Sequence, residues 1–207
     1  MKRLLGLLLV MGMVGCGGGD EAPPAGETAL PATPNKPQAK VDELPVQTVD
    51  MSKLDEIGGV MYEGDSETPF TGIVVAKYRN GQKWFELTCK DGKREGPATW
   101  WHPNGQKRSE TPYKDGRSEG LSTSWYVNGQ KQSEVTYKNG KEEGLVTKWH
   151  ENGQKEFEAT YKDGKVEGPS IVWHRNGQKR YESTYKDGKK VSEMKEWDEE
   201  GNEIKRN

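Results

Sequence analysis

Hydrophobic and polar positions alternate over short segments along most of the chain after residue 50, and turn signals separate these segments at regular intervals. Asn-Gly pairs recur every 24 residues, and between them lies a second signal of the type Lys-Asp-Gly-Lys. Short runs rich in Thr, Val, Tyr and Trp between such turns are typical of β-hairpins. Two turns per unit therefore predict two antiparallel strands in each unit.

The Asn-Gly turns share a glycine position where a tight reversal demands a positive φ. These turn glycines are Gly81, Gly105, Gly129, Gly153 and Gly177. A three-residue loop over residues 151–153 keeps Trp149 and Tyr161 on one face of the sheet, whereas a two-residue loop places Trp149 opposite Glu156. We therefore predict the three-residue loop, which is a type I turn followed by a left-handed glycine.

With this register, equivalent residues of successive units form columns that we expect on one face of the sheet. The first column contains Trp101, Trp125, Trp149, Trp173 and Trp197. The second column contains Tyr113, Tyr137, Tyr161 and Tyr185. We interpret the two columns as a structural aromatic ladder or, alternatively, as a binding face.

Two columns of charged residues accompany the aromatic ones. The lysines expected opposite the tryptophans, within reach of cation–π contacts, are Lys107, Lys131, Lys155 and Lys179. The other face is expected to be polar, with a carboxylate column of Glu86, Glu110, Glu134, Glu158 and Glu182. A sheet with one apolar face is then expected to curl over that face without a second layer.

The pattern predicts an all-β fold, an elongated single-layer antiparallel meander of repeated β-hairpins. The predicted repeat domain covers residues 51–207, with an opening strand over residues 58–72. Five full 24-residue units follow, and a degenerate unit around Glu200 and Gly201 ends the chain. Because one hairpin cannot bury its aromatic residues alone, each unit is expected to be stabilised by its neighbours.

The N-terminus has the features of an export signal. Lys2 and Arg3 precede an apolar run that is shorter than the roughly 20 residues of a membrane span, which predicts a signal peptide over residues 1–15. The segment MVGC, Met13–Cys16, resembles the lipobox of bacterial lipoproteins, which implies acylation of Cys16; a plain signal peptide is the alternative. Residues 16–50, rich in Pro, Gly and Ala, are expected to form a disordered tether.

These features predict an exported protein that a lipid anchors in the bacterial cell envelope, in the outer membrane if the cell is Gram-negative. The chain has 31 basic and 33 acidic residues with interleaved signs, so we predict no nucleic-acid partner. An acylated Cys16 leaves Cys89 as the one other cysteine, which excludes an intramolecular disulfide. Cys89 falls in the tyrosine column, where we expect it to be a buried substitute for tyrosine.

We find no residues arranged for catalysis, metal binding or cofactor binding. His102, His150 and His174 share one column, but equivalent residues of adjacent units lie about 9.5 Å apart across two strand spacings. That separation is too large for shared metal ligands, which lie within about 2.1 Å of the ion. Because the carboxylates recur identically in every unit, no acid and base differ in environment. We therefore predict a protein that is not an enzyme.

The spacing of glycines and aromatic residues in YKDGKVEGPSIVWHRNG, Tyr161–Gly177, resembles the bacterial variant form of the MORN repeat. The segment Val60–Gly72 is similar to the opening of YwqK-type proteins, a family commonly labelled as toxin-antitoxin system antitoxins. The resemblance implies arrays of β-hairpins that serve in scaffolding and protein contacts, and also in contacts with lipid head groups.

Three hypotheses about function follow from the sequence. The first is a protein-binding scaffold with an unidentified protein partner, in an antitoxin or immunity-like role that suits a lipoprotein facing toxins at the envelope. The second is an array that binds envelope glycan or lipid through the Trp and Tyr columns. The third is a purely structural spacer.

Overall fold

The computed structural model describes residues 47–205, which all belong to one unit of the chain, Asp42–Asn207. Nearly all regular structure in this range is β-strand, and the exception is one 3-10 helix, η1, at Met51–Lys53. The predicted signal peptide, Cys16 and most of the predicted tether lie outside the described residues.

Seventeen strands are found between Thr48 and Glu196. The first eight are β1 (Thr48–Asp50), β2 (Leu54–Ile57), β3 (Val60–Glu63), β4 (Gly72–Lys77), β5 (Lys83–Lys90), β6 (Lys93–Trp101), β7 (Lys107–Lys114) and β8 (Arg117–Ser118). The other nine are β9 (Gly120–Trp125), β10 (Lys131–Lys138), β11 (Lys141–Glu142), β12 (Gly144–Trp149), β13 (Lys155–Lys162), β14 (Lys165–Trp173), β15 (Lys179–Lys186), β16 (Lys189–Lys190) and β17 (Lys195–Glu196).

Fifteen of these strands form one elongated sheet, in which successive strands pair antiparallel in chain order from β4 onward. The short strands β8, β11 and β17 pair with β7, β10 and β15. At the N-terminal edge, β1 pairs parallel with β4, and β2 and β3 form a separate hairpin. The all-β meander of repeated hairpins that the sequence predicts is therefore confirmed, with one parallel pair at its start.

Both kinds of turn have the geometry that their residues favour. At the Asp-Gly turns both central residues have positive φ, 50° at Asp163 and 79° at Gly164, as a two-residue type I′ loop requires. At the Asn-Gly turns the amide of Gly153, with φ of 84°, donates to the carbonyl of His150 at 2.9 Å. His150 in turn donates to the carbonyl of Gln154 at 2.8 Å, which confirms the three-residue loop.

The prediction that the Trp and Tyr columns share one face is wrong. Trp149 pairs with Lys155 as predicted, but the next pair is Lys148 with Phe157, so Glu156 is an extra, bulged residue. Because side chains alternate between faces along a strand, one inserted residue reverses the face of everything beyond it. Tyr161 therefore lies on the face opposite Trp149, and the same register shift recurs beside Lys77, Trp101, Trp125 and Trp173.

Two boundaries of the sequence prediction also need correction. The strand Thr48–Asp50 lies within the predicted tether, and it is ordered because Val49 is buried and pairs with Val74. The predicted opening strand over 58–72 consists of β3 and the start of β4, separated by turns. Gly64, with φ of 54°, ends β3, since this left-handed conformation cannot continue a strand.

A true hydrophobic core is found at the N-terminal end of the sheet, where the sequence predicted no second layer. The buried cluster consists of Val49, Phe70, Val74, Ala76, Phe85, Leu87, Cys89 and Ala98. Leu54 and Met61, from the β2–β3 hairpin, pack against this cluster. The amide of Met61 donates to the carbonyl of Gly92, so the hairpin is also bound to the first Asp-Gly turn. We name η1 and this hairpin, residues 51–63, the N-terminal cap.

The degenerate C-terminal unit keeps the turn, and the preceding unit still contacts it through His174 and Asn176. Gly201 has φ of 86° and its amide donates to the carbonyl of Asp198 at 3.1 Å. The Asp198 carboxylate accepts hydrogen bonds from the side chain and amide of Asn202, which hold its pKa below the ordinary value. Asp198 thus closes its own turn.

Candidate functional site

The two faces of the sheet differ in chemistry, and each is named here by its aromatic column. The Trp face carries Trp101, Trp125, Trp149, Trp173 and Trp197. The Tyr face carries Tyr113, Tyr137, Tyr161 and Tyr185. All nine rings are partly exposed.

On the Trp face, lysines connect successive units. Lys155 pairs across the strands with Trp149, as predicted, but its ammonium lies 5.7 Å from the ring centre of Trp173, in the next unit. The same ammonium is 2.5 Å from a carboxylate oxygen of Glu158. Equivalent contacts to the next Trp are made by Lys83, Lys131 and Lys179. Four Trp rings are thus covered on one side by a cation of the preceding unit, those of Trp101, Trp149, Trp173 and Trp197.

The carboxylate column lies on the Trp face, not on the opposite face as the sequence predicted. Glu158 pairs with Thr147. Thr147 lies two residues before Trp149 in β12, so the side chains of Thr147 and Glu158 are on the same face as Trp149. The cause is again the bulge, which brings residues three apart in sequence to the same face. Five Lys–Glu pairs of this kind occur, at Lys83–Glu86, Lys107–Glu110, Lys131–Glu134, Lys155–Glu158 and Lys179–Glu182.

Exposed aliphatic side chains lie beside this ladder. Leu121 pairs with Thr136 and Leu145 with Thr160, which places both leucines on the Trp face. They occupy the same position in consecutive units and are 53% and 54% exposed. The face combines partly exposed Trp rings, Lys–Glu pairs that neutralise each other and exposed leucines. Such a face is suited to contacts with a protein surface, where aromatic anchors contribute most binding energy.

The Tyr face has a floor of small residues between its aromatic columns. Val146 and Ala159 pair across β12 and β13 and are buried, with 2% and 0% exposure. Tyr161 lies on one side of this floor and Phe157 on the other. Burial raises the pKa of Tyr161 above its ordinary value, and that of Tyr137 likewise. The centre of this face is therefore well packed even though no second layer covers it here.

The predicted histidines have a structural contact that the sequence did not indicate. Ring nitrogen Nε2 of His150 donates to the backbone carbonyl of Trp173 at 3.0 Å, and His102 and His174 make the same contact to Trp125 and Trp197. In two units the residue is tyrosine: Tyr78 donates to the carbonyl of Trp101 at 2.8 Å, and Tyr126 donates to that of Trp149 at 2.7 Å. This His/Tyr position therefore connects every unit to the next at the Asn-Gly edge.

A second set of residues that the sequence did not single out connects the units at the Asp-Gly edge. The carboxylate of Glu143 accepts a hydrogen bond from the amide of Asp163 at 3.0 Å, and the carbonyl of Glu142 accepts one from Gly164 at 2.9 Å. The equivalent acceptors are Glu95, Glu119 and Glu167. The recurrence of Glu before each Gly in the Glu-Gly pairs was the available signal.

Cys89 is buried, as the sequence predicted, with 1% exposure. Its thiol lies 3.3 Å from the sulfur of Met61, and burial raises its pKa from 9.0 to about 11. A thiolate is the reactive form of cysteine, so this thiol is chemically inert near neutral pH.

Within residues 47–205 no three His, Cys, Asp or Glu side chains converge as metal ligands. The same range includes no helix with the length and apolarity of a membrane span.

Comparison with known proteins supports the repeat interpretation. The chain matches the family described as MORN repeat variant at residues 94–115, 118–139, 142–163 and 166–187. The unit around Gly81 has the same turn geometry but is not matched. No curated protein matches this sequence. Between residues 94 and 187 the chain thus matches four tandem repeats of the MORN variant type.

Proposed function

We propose that this protein is a non-enzymatic, lipid-anchored envelope protein whose repeat sheet binds a protein partner through the Trp face. The observation that carries the proposal is the pair of exposed leucines, Leu121 and Leu145, in register beside the Trp column. Exposed apolar groups surrounded by polar residues mark protein interaction surfaces.

The charges of the Trp face support a protein partner over a polyanion. Each lysine ammonium is within 2.7 Å of a carboxylate at Lys83, Lys131, Lys155 and Lys179, so the column presents no excess of positive charge. Association with nucleic acid or another polyanion depends on unneutralised cations. A partner with an apolar centre and mixed charges at its rim fits this face better.

The glycan hypothesis has less support, because the Trp and Tyr columns do not form one platform. Since Trp149 and Tyr161 lie on opposite faces, a glycan chain could stack on one column alone. Lysine ammonium groups already cover one side of the rings of Trp149 and Trp173. The spacer hypothesis predicts instead that no partner binds.

An antitoxin or immunity-like role is the finer form of the proposal. It rests on the resemblance of Val60–Gly72 to YwqK-type proteins and on the lipobox-like sequence at Cys16. Anchoring at the envelope would place the sheet where an incoming toxin is first met.

Affinity capture from a detergent-solubilised envelope extract of the source cells tests protein binding. The full-length chain is compared with the double variant Leu121→Asp/Leu145→Asp and with Val127→Asp, since Val127 is equally exposed but lies in a turn. We expect one protein at near equal stoichiometry that the double variant loses and Val127→Asp retains. Equal capture by all three chains, or no capture, would contradict the proposal.

The lipid anchor has its own test, because the chain has two cysteines. Cells that express the protein are labelled with radioactive palmitate. We expect label on the wild type and on Cys89→Ala and none on Cys16→Ala. Label on Cys16→Ala, or no label on the wild type, would refute lipidation at Cys16.

A further inference from the structure

The first unit of the sheet contains a cavity on the Tyr face, beside the N-terminal cap. Its volume is about 150 Å³, and the side chains that line it include Met51, Trp84, Phe85, Arg94, Trp100 and Tyr113. The cavity is open to solvent, and Met51 at its edge is 46% exposed. An apolar cavity of about 150 Å³ has room for one benzene ring.

The walls of this cavity are aromatic. The rings of Phe85 and Trp100 have centroids 5.1 Å apart with planes tilted by 48°, and Trp84 lies 5.7 Å from Phe85. Aromatic rings at such separations attract a further ring in stacked or edge-to-face geometry. The cavity is therefore suited to a flat, apolar ligand group.

One cation lies at this cavity. The guanidinium of Arg94 is 5.5 Å from the ring centre of Tyr113, and its one ion pair in the described chain, to Glu56, is long at 3.7 Å. Both members of the ion pair are about half exposed. A guanidinium offers five N–H donors in a fork that matches a carboxylate, so most of its donor capacity remains for an anion.

The internal repeats provide a control, because Trp84, Trp100 and Arg94 do not recur at the equivalent positions of the later units. At the position of Trp84 the later units have Arg108, Gln132, Glu156 and Arg180. At the position of Trp100 they have Ser124, Lys148 and Val172, and at the position of Arg94 they have Ser118, Glu142 and Val166. The same fold is therefore built three more times without these residues, and the fold alone does not require them.

We propose that this cavity binds a small aromatic carboxylate, with its ring packed against the rings of Trp100 and Phe85 and its carboxylate at Arg94. The ligand is either a free aromatic acid or the C-terminal aromatic residue of a peptide, since both present a ring and a carboxylate close together. This site is on the face opposite the leucines of the Trp face, and the inference does not depend on the proposed protein partner.

The test is a titration of the full-length chain, labelled with ¹⁵N at tryptophan, with phenylacetate and with the peptide Gly-Gly-Phe. We expect saturable shifts of the indole signals of Trp84 and Trp100, while those of Trp125, Trp149 and Trp173 stay unchanged. Saturation by phenylacetate alone identifies a free acid as the ligand, and saturation by the peptide identifies a chain end. No saturable shift with either probe, or shifts of all seven indoles alike, overturns the proposal.

Variants and a neutral probe examine the role of the cation. For Arg94→Gln we expect phenylacetate affinity to fall about ten- to hundredfold, the effect of losing hydrogen bonds to a charged group, with 2-phenylethanol unaffected. Arg180→Gln is the matched control, because Arg180 also lies over a tyrosine ring, 4.9 Å from the centre of Tyr181. Equal loss in both variants, or none in either, contradicts the assignment.

A second variant fills the cavity without altering the cation. Met51 lines the cavity and is 46% exposed, so Met51→Trp adds a ring there without disturbing the buried cluster. We expect this variant to lose phenylacetate binding while its circular dichroism spectrum stays that of the wild type. Retained binding with wild-type affinity would place the ligand elsewhere.

Discussion

Residues 47–101 and residues 118–187 use the same turns and the same spacing, yet they differ in what fills the centre of the Tyr face. In the first region Val74 and Leu87 are buried, with 1% and 2% exposure, beneath the N-terminal cap. At the position of Leu87 the later units have Thr111, Val135, Ala159 and Ser183. The centre therefore shrinks from a large aliphatic side chain to small ones as the array proceeds.

The difference shows two ways of stabilising one repeat. In the first region burial of apolar area dominates, at about 25 cal/mol per Å² removed from water. In the later units the centre is small, so the connection between units rests more on the hydrogen bonds at the edges and the cation–π contacts on the Trp face. The first region has contacts of the same kinds in addition to its core. Repeat arrays in general are stabilised by such nearest-neighbour terms.

The largest difference in loss of stability is expected between alanine substitutions at two equivalent turn glycines, Gly92 and Gly164. In Gly92→Ala the new Cβ would lie 2.3 Å from a methyl carbon of Val60 and 3.0 Å from the carbonyl oxygen of Met61, at φ of 74°. In Gly164→Ala the nearest atom is 3.8 Å away, so backbone strain alone remains. We expect a loss of more than about 4 kcal/mol at Gly92 and about 1 to 2 kcal/mol at Gly164.

Denaturant unfolding of both glycine variants measures this contrast. Equal destabilisation of the two chains would show that the β2–β3 hairpin does not rest on the first Asp-Gly turn.

The second contrast concerns the centre of the Tyr face. Leu87→Ala removes a fully buried side chain and should cost about 2 to 5 kcal/mol. Val135→Ala, at the equivalent position, removes fewer carbons and should cost about 1 to 2 kcal/mol. Unfolding midpoints in guanidinium chloride decide between these values, and a larger loss for Val135→Ala would reverse the proposed difference between the regions.

The third contrast is a pH effect confined to the first region. The folded chain raises the pKa of Cys89 from 9.0 to about 11. Between these values the unfolded chain loses the thiol proton and the folded chain keeps it, so stability falls as pH rises from about 9 to 11. The expected loss is about 2 to 3 kcal/mol relative to Cys89→Ala, measured by unfolding at pH 8 and at pH 11. Parallel stability curves for the two chains would contradict it.

The sequence predicts the local structure of this protein better than it predicts which side chains share a face of the sheet. The hairpins, the spacing and the three-residue loop follow from the turn residues, because Asn-Gly and Asp-Gly favour a few backbone conformations. The assignment of faces failed, since it assumed strands without bulges. A signal was present: Lys155 and Glu158 recur three apart in every unit, and opposite charges at that spacing can pair on one face if a residue is bulged.

The cap and the cavity could not be predicted in the same way. Their contacts join residues far apart in sequence, such as Val60 and Gly92, and no periodicity specifies such pairs. Leu121 and Leu145 are visible as apolar residues in the sequence, but their exposure follows from the register of strands β9 and β12.

The smallest effect is expected at the Asn-Gly edge, where the two regions are alike. Tyr78 donates to the carbonyl of Trp101 at 2.8 Å in the first region, and Tyr126 donates to that of Trp149 at 2.7 Å in the array. Substitution of either tyrosine by Phe should cost about 1 kcal/mol, the typical net value of one hydrogen bond.

The control for these two variants is Tyr137→Phe, whose hydroxyl makes no hydrogen bond within residues 47–205 and whose removal should change stability little. The losses of unfolding free energy in Tyr78→Phe and Tyr126→Phe should agree within about 0.5 kcal/mol, as expected for independent equivalent sites. Such agreement would show that the Asn-Gly edge stabilises both regions equally and that the regions differ in their centres alone. A much larger cost for Tyr126→Phe would instead mean that the array depends on its edge more than the first region does, because its centre contributes less.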